Sequence, residues 1–354
     1  MKESFKFRNE NFGILGYNVN KGDFLLPKNI TFNKVLNRKL SSPLFLVWEI
    51  TNKCNLNCLH CSNENKEKDL SLNQCFKIIE SINKEHIFHV NISGGEPFLR
   101  KDLFHILKRL KENEISFDIY SNGTLIDPNI ISNLKLIKPK RVFLSLDGLE
   151  KTHNFIRRKK CFDRVVKSLK MLKKAKINTG VTITLMKNNI KELDNLIKFL
   201  IKNKIENLMI NDLMPSGNAK EDYLKKRLNK QELKKAVNII SRYKKYLNID
   251  SEVLIDFSFK KTYKNSFCGV NRFVARVTND GKLTPCSFIN ENYGPMLKIN
   301  FQKDFWNNRN LLKLNKLNKK CTDCINMNYC NGGCRAISEY LNGKKSSIDP
   351  RCFY

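Results

Sequence analysis

The sequence predicts an α/β fold built on parallel strands, followed by a smaller cysteine-rich domain. Two observations predict it. From residue 45 onward short apolar runs alternate with longer amphipathic stretches, and from Cys268 onward cysteines and loop-forming residues dominate. Strand–helix units in series imply parallel strands joined by right-handed crossovers.

The strand candidates are 45–50, 87–92, 116–120, 141–146, 180–185 and 207–211, and helical stretches at 71–84, 101–113, 162–176 and 190–203 fall between them. A further helical stretch, 230–247, closes the series. Ahead of it, residues 12–24 alternate in polarity around Gly13, Gly16 and Gly22 and read as a small hairpin. Six parallel strands form either an open layer or a partial barrel. In both, chemistry belongs at the C-terminal strand ends, where loops enter the next helix.

Hydrophobic residues make up 41% of the 354-residue chain, enough for a buried core. No run approaches the roughly 18 to 20 apolar residues of a membrane span. The N-terminal MKESFKFRNE lacks the apolar core of a secretory signal. The expectation is a cytoplasmic protein with no membrane partner. In a reducing compartment twelve cysteines are not a disulfide framework, and short Cys-x-x-Cys spacings point to metal or redox work. The formal charge of +31 would attract acidic partners. It comes from Lys more than Arg and is spread along the chain, which fits solvated helix faces better than a nucleic-acid stripe.

The first cysteine cluster, Cys54-Asn-Leu-Asn-Cys58-Leu-His60-Cys61, directly follows the first strand. A cluster with four irons wants four ligands, so three cysteines leave one iron open to a substrate or cofactor. The alternative is a zinc loop with His60 as fourth ligand, although His60 sits awkwardly beside Cys61. The second strand ends in Ser93-Gly94-Gly95-Glu96-Pro97, whose glycines permit close backbone approach to a ligand. Both loops emerge at the same end of adjacent parallel strands.

Cys-x-x-x-Cys-x-x-Cys followed by Gly-Gly-Glu-Pro resembles the radical S-adenosylmethionine (SAM) superfamily, over roughly residues 43 to 217. The resemblance implies a partial (β/α)6 TIM-like barrel. It also implies that Cys54, Cys58 and Cys61 hold a [4Fe–4S] cluster whose open iron is chelated by SAM. Gly94, Gly95, Glu96 and Pro97 would receive the methionyl amino group. Ser121 and Asn122, in Ser-Asn-Gly after the third strand, resemble a segment that contacts SAM's polar end or ribose. Ser145, in Ser-Leu-Asp147-Gly, and Arg157 match positions beside SAM. The implied chemistry is one-electron cleavage of SAM to a 5′-deoxyadenosyl radical that abstracts hydrogen from a substrate.

Seven cysteines follow in the tail: Cys268, Cys286 in Gly-Lys-Leu-Thr-Pro-Cys, Cys321, Cys324, Cys330, Cys334 and Cys352. This order resembles the SPASM domain, which binds auxiliary iron–sulfur clusters. By that similarity Cys321, Cys324, Cys330 and Cys352 hold an outer cluster, and Cys268, Cys286 and Cys334 an inner one. Some members carry one more cysteine about six residues earlier, where this chain has Thr262 and Tyr263. That leaves the inner cluster's fourth ligand and its size open. A zinc ribbon is the bland alternative. The expected domains are residues 1–43 as an N-terminal extension, 44–250 as the barrel and 251–354 as the auxiliary-cluster domain.

Cys75 and Cys161 are read as structural, and the five histidines show no ligand spacing. Leu213-Met-Pro-Ser-Gly217 resembles a loop bordering the substrate cavity, though a simple turn reads as well.

Trp48-Glu-Ile-Thr51, Asn91-Ile-Ser93 and the segment around Gly281 resemble peptide maturases, such as those acting on the mycofactocin and pyrroloquinoline quinone precursors. They imply a precursor-peptide substrate whose side chains are oxidised or cross-linked, and a flavodoxin- or ferredoxin-type electron donor. Residues 1–43 are short for a leader-gripping domain, so a separate leader-binding protein is an expected partner. The tail Gly332-Gly-Cys-Arg-Ala336 is shared with tetrapyrrole-modifying relatives, which keeps haem-type side-chain chemistry as an alternative. A non-enzymatic, metal-containing nucleic-acid-binding protein is the alternative from another class.

Overall fold

The computed structural model describes residues 4–251, 270 and 273–352, apart from 32–33, 36–37, 65–66, 290, 292, 306, 308–313, 315 and 326. Strands β4 (Phe45–Glu49), β5 (His89–Ser93), β6 (Ser116–Ser121), β7 (Arg141–Ser145), β8 (Thr179–Leu185), β9 (Asn207–Asp212) and β10 (Asn248–Ser251) pair in sequence order, all parallel. This is the series of parallel strand–helix units expected, extended by β10.

Helices cross between the strands: α1 (Leu72–Lys84), α2 (Leu103–Glu112), α3 (Pro128–Ile137), α4 (Glu150–Arg157), α5 (Phe162–Lys174), α6 (Leu193–Lys202) and α7 (Lys230–Arg242). Their starts are written locally. Ser71 and Gln74 close a reciprocal capping box on α1, Asn229 and Glu232 do so on α7, and Asp127 caps α3 ahead of Pro128. Helices α3 and α4 are not among the helical stretches read from the sequence; α4 is only eight residues long and carries few apolar residues.

Alternation along the strands sends successive side chains to opposite faces. One face, including Leu46, Trp48, Val90, Ile92, Leu144 and Ile183, joins the apolar stripes of the helices in one core cluster. Burying each such side chain stabilises by about 1.5–3 kcal/mol. The other face is different. Toward the C-terminal ends it presents Glu49, Asn91, Ser93, Tyr120, Ser145, Thr184 and Asn211, all only half-buried. The inner face is therefore polar and accessible, whereas the helix-covered face is sealed.

The opposite end is closed. His89 lies 3.5 Å from Asp118, which also pairs with Arg141 at 2.7 Å. Burial raises the Asp118 pKa, but His89 and Arg141 outweigh it and hold the carboxyl down at about 2. Below this layer lies a three-stranded sheet, β1 (Phe5–Glu10), β2 (Gly13–Asn18) and β3 (Phe24–Leu25). Strands β2 and β3 pair within the expected hairpin, and β1 is an added strand. Tyr17 stacks on Phe88 at 5.4 Å, in a cluster with Leu44 and Phe273. Phe88, Leu44 and Phe273 stand just before β5, β4 and the later strand Val274–Val277, so the described part of residues 4–43 packs against the N-terminal end of the barrel.

The C-terminal segment also joins the sheet. Strand β11 (Val274–Val277) pairs parallel with β4, and β12 (Leu283–Thr284) pairs with β11. Its last helix is α8 (Arg335–Asn342). Among the described residues no helix is long and apolar enough to cross a membrane.

Candidate functional site

The loop after β4 is held before its first cysteine is reached. The Thr51 hydroxyl donates to Asp69 at 2.6 Å, and the Asn52 amide donates to the same carboxylate at 3.0 Å. The Gly95 amide donates to the Thr51 carbonyl at 2.7 Å and the Glu96 amide to the Lys53 carbonyl at 2.7 Å. The loop after β5 is thus zipped onto the loop that delivers Cys54. A Cβ on Gly94, at φ +130°, would stand 2.3 Å from the Thr51 oxygen, and one on Gly95 2.2 Å from the Lys53 oxygen. The close approach these glycines permit is to a neighbouring backbone.

Glu96 is fully buried and its carboxylate accepts from Ser121 Oγ at 2.9 Å, the Asn122 amide at 2.7 Å and the Phe98 amide at 3.1 Å. Burial pushes its pKa up to about 7 against those hydrogen bonds. Its carboxylate braces the β5 loop to the β6 loop. Asn122 continues the chain of contacts. Its Nδ2 donates to Asn55 Oδ1 at 2.8 Å and lies 3.8 Å from Cys54 Sγ. Asn55 in turn donates to Thr124 Oγ1 at 2.8 Å.

On the other side stands Arg157, the last residue of α4. Its Nη1 donates to Cys58 Sγ at 3.4 Å, and its Nη2 lies 2.6 Å from Asp147 Oδ2. Burial opposes the guanidinium's charge, but Asp147 and the Cys58 sulfur together raise its pKa. Asp147 Oδ1 accepts from the Thr184 amide at 3.0 Å, which fixes the carboxylate across two strands. His60 Nε2 faces the same carboxylate at 3.9 Å, and burial pushes the His60 pKa down to about 4. His60 is thus placed against Asp147. Ser145 ends β7 and is half-buried on the inner face.

The loop after β9 completes the setting. Asn218 Nδ2 donates to Asn57 Oδ1 at 2.6 Å and to the Cys58 carbonyl at 2.9 Å, while its amide donates to the Cys61 carbonyl at 2.9 Å. Gly217, at φ +53°, lies where a Cβ would meet the Cys61 oxygen at 2.1 Å. Asn218 and Asn55 were missed from sequence. The one available signal was Gly217, closing a segment already noted.

In the tail, Cys286 and Cys334 pack into one apolar cluster with Ile289, Leu314 and Ala336. Burial first, and then the neighbouring Cys352 and Cys324, push the Cys321 thiol pKa up, and burial, then Asp349 and Cys352, do the same at Cys330. Cys268 lies outside the described residues. Among the described residues no three His, Cys, Asp or Glu side chains converge on a position for a single metal ion. A four-iron cube spreads its thiolates over separate corners and needs no such convergence. The tail is tied to the barrel by Arg351, which donates to Asp212 at 2.7 Å and to both oxygens of Asp349 at 3.1 and 2.8 Å. Asp349 accepts from the Cys334 amide at 2.6 Å. A cavity of about 760 Å3 also lies by α3 and α5, lined in part by Lys160, Arg164 and Lys167. Thr124, which also lines it, accepts from Asn55 of the cysteine loop, but none of the expected SAM or cluster residues lines it.

Residues 48–200 match the radical SAM superfamily. The chain is 32% identical over 259 residues to a probable GTP 3′,8-cyclase of Sulfurisphaera tokodaii, covering 68% of this chain and 79% of that protein. The chain belongs to the radical SAM superfamily. It is also 26% identical over 329 residues to the mycofactocin maturase MftC of Mycobacterium tuberculosis, covering 89% of this chain and 84% of the relative. Among solved structures, SuiB of Streptococcus suis bound to its precursor peptide SuiA aligns with a TM-score of 0.78 at 19% identity, over 100% of this chain and 98% of SuiB. The fold shared with SuiB thus extends beyond the barrel into the tail. As a radical SAM enzyme the chain uses a [4Fe–4S] cluster and SAM.

Proposed function

We propose that the chain is a peptide maturase, a radical SAM enzyme that removes a hydrogen atom from a side chain of a ribosomally made precursor and so oxidises or cross-links it. The observation that carries this reading is the half-buried polar inner face, from Glu49 through Asn91 and Ser145 to Asn211, open beside the three-cysteine loop and closed below by His89, Asp118 and Arg141. Such a face suits an extended polar chain, and it agrees with the likeness to the maturase MftC and to SuiB, which binds the precursor peptide SuiA.

Cys54, Cys58 and Cys61 would hold the catalytic cluster. The donor set fits, because Arg157 and Asn122 direct N–H groups at two of the three sulfurs, as ligand thiolates favour. When bound, the reduced cluster and SAM supply a 5′-deoxyadenosyl radical. The chain's own residues do the positioning. Gly94 to Pro97, Ser121, Asn122, Ser145 and Arg157 surround the place for SAM. Glu96 fixes the β5 loop against the β6 loop, and the barrel floor keeps bulk water from entering at the N-terminal end. Cys321, Cys324, Cys330 and Cys352 would hold the outer auxiliary cluster, and Cys268, Cys286 and Cys334 the inner one, with residues 251–354 as the auxiliary domain. A flavodoxin- or ferredoxin-type donor and a separate leader-binding protein are the expected partners. A cytoplasmic location suits ten ligand thiols.

The test is anaerobic turnover with any short precursor peptide found encoded beside the gene, carrying deuterated side chains. Deuterium in the released 5′-deoxyadenosine and a mass loss in the peptide support the reading. Deuterium transfer from a tetrapyrrole, with none from the peptide, would replace it.

A further inference from the structure

Strand β11 brings one charge onto the inner face. Its Ala275 and Val277 belong to the helix-covered core with Leu46 and Trp48 of β4. Arg276 therefore points the other way, on the same face as Glu49. The register places Arg276 against Val47, and its Nη2 pairs with Glu49. Both side chains are mostly withdrawn from solvent, at 13% and 16% exposure. Every other half-buried inner-face side chain toward the C-terminal ends of β4 to β9 is neutral, and the Asp147–Arg157 ion pair just beyond β7 is buried and engaged with Cys58.

The pair leaves the guanidinium incompletely used. Arg276 Nε is buried and has no hydrogen-bond partner, while Glu49 engages only the Nη2 corner. A guanidinium offers five donors in a planar fork that matches a carboxylate in two-point fashion. A buried donor without an acceptor is costly, and a ligand oxygen would relieve it. Glu49 lies five residues before Cys54, so a group held at Arg276 sits beside the loop where hydrogen abstraction would occur.

We propose that Arg276, oriented by Glu49, is a specificity residue that anchors a carboxylate of the substrate on the inner face next to the three-cysteine loop. This rests on the reading that substrate occupies that face, and it adds that the substrate is acidic near its reacting side chain. The chain's net charge of +31 would draw such a substrate inward.

The experiment uses the reconstituted full chain and two small probes, 4-fluorobenzoate and its neutral twin 4-fluorobenzamide, titrated by fluorine NMR at about 0.2 M salt to screen surface lysines. SAM affinity is measured in parallel. Wild type should bind the acid at least tenfold more tightly than the amide. R276M should lose that preference, R276K should keep part of it, and E49Q, which removes the competing carboxylate, should bind the acid several-fold more tightly. SAM affinity should change less than twofold in all three. Equal binding of acid and amide by wild type, or a preference that survives in R276M, overturns the proposal. So does a loss of SAM affinity in R276M matching its loss of probe, which would assign Arg276 to the cofactor's carboxylate. Should R276M fail to fold, E49Q decides, and no tightening there also overturns it. Because no peptide and no turnover are involved, this result can fail while the maturase reading stands, and the reverse.

Discussion

Arg157 donates to the sulfur of Cys58 at 3.4 Å. A buried cation at a cluster ligand stabilises the more negative, reduced cluster. R157M should therefore lower the cluster's reduction potential and slow SAM cleavage without emptying the site. An EPR-monitored redox titration checks it, and an unchanged potential would show that Arg157 has no electrostatic role.

The two cysteine groups should separate by mutation. C58A should abolish SAM cleavage while the tail keeps its iron. C324A should lose iron from the tail and damage product formation, with SAM cleavage still detectable. Iron counting and chromatography for 5′-deoxyadenosine distinguish them. Equal and complete iron loss in both variants would collapse the two-site division.

Gly94 and Gly95 should not tolerate alanine. Each added methyl would sit within 2.3 Å of a backbone oxygen of the loop leading to Cys54. A displacement of that loop by about 1 Å should reduce turnover by about 100-fold. Kinetics of G95A, with iron content as control, provide the check.

His153 should make the fold acid-sensitive. Its Nδ1 accepts the Asp147 amide at 3.2 Å, so the proton lies on Nε2, facing Cys161 Sγ at 3.4 Å. Burial, reinforced by Arg157 and opposed by Asp147, pushes its pKa down to about 4 from 6.5. The neutral ring's contribution is present above 6.5 and is lost as pH falls toward 4, because the unfolded chain takes up the proton first. At about 1.4 kcal/mol per pH unit, the loss reaches at most about 3 kcal/mol. Denaturant titrations across that window should show a shallower pH dependence in H153Q. An identical slope would remove His153 from the account.

Arg351 should couple the tail to the barrel. R351M leaves Asp212 and Asp349 buried without their cation, and breaking a buried pair costs about 3–5 kcal/mol. The melting temperature should fall, and iron should be lost from the tail first.

Local signals made part of this legible in sequence. The spacing of Cys54, Cys58 and Cys61, the alternation of strands and helices and the order of the tail cysteines are all short-range patterns. Gly94 and Gly95 were visible as well, but their reason was not, since the carbonyls they accommodate lie some 40 residues away in the chain. Asn218 against Cys58, Arg351 against Asp212 and Arg276 against Glu49 span 160, 139 and 227 residues. No local pattern encodes such meetings. The same holds for β11, whose four residues read as strand only once β4 is beside them.

The most direct measurement is release of 5′-deoxyadenosine from SAM by anaerobically reconstituted chain with a strong reductant. The account predicts release by wild type and none by C58A. A wild-type chain that holds its full complement of iron yet never releases the nucleoside would contradict it.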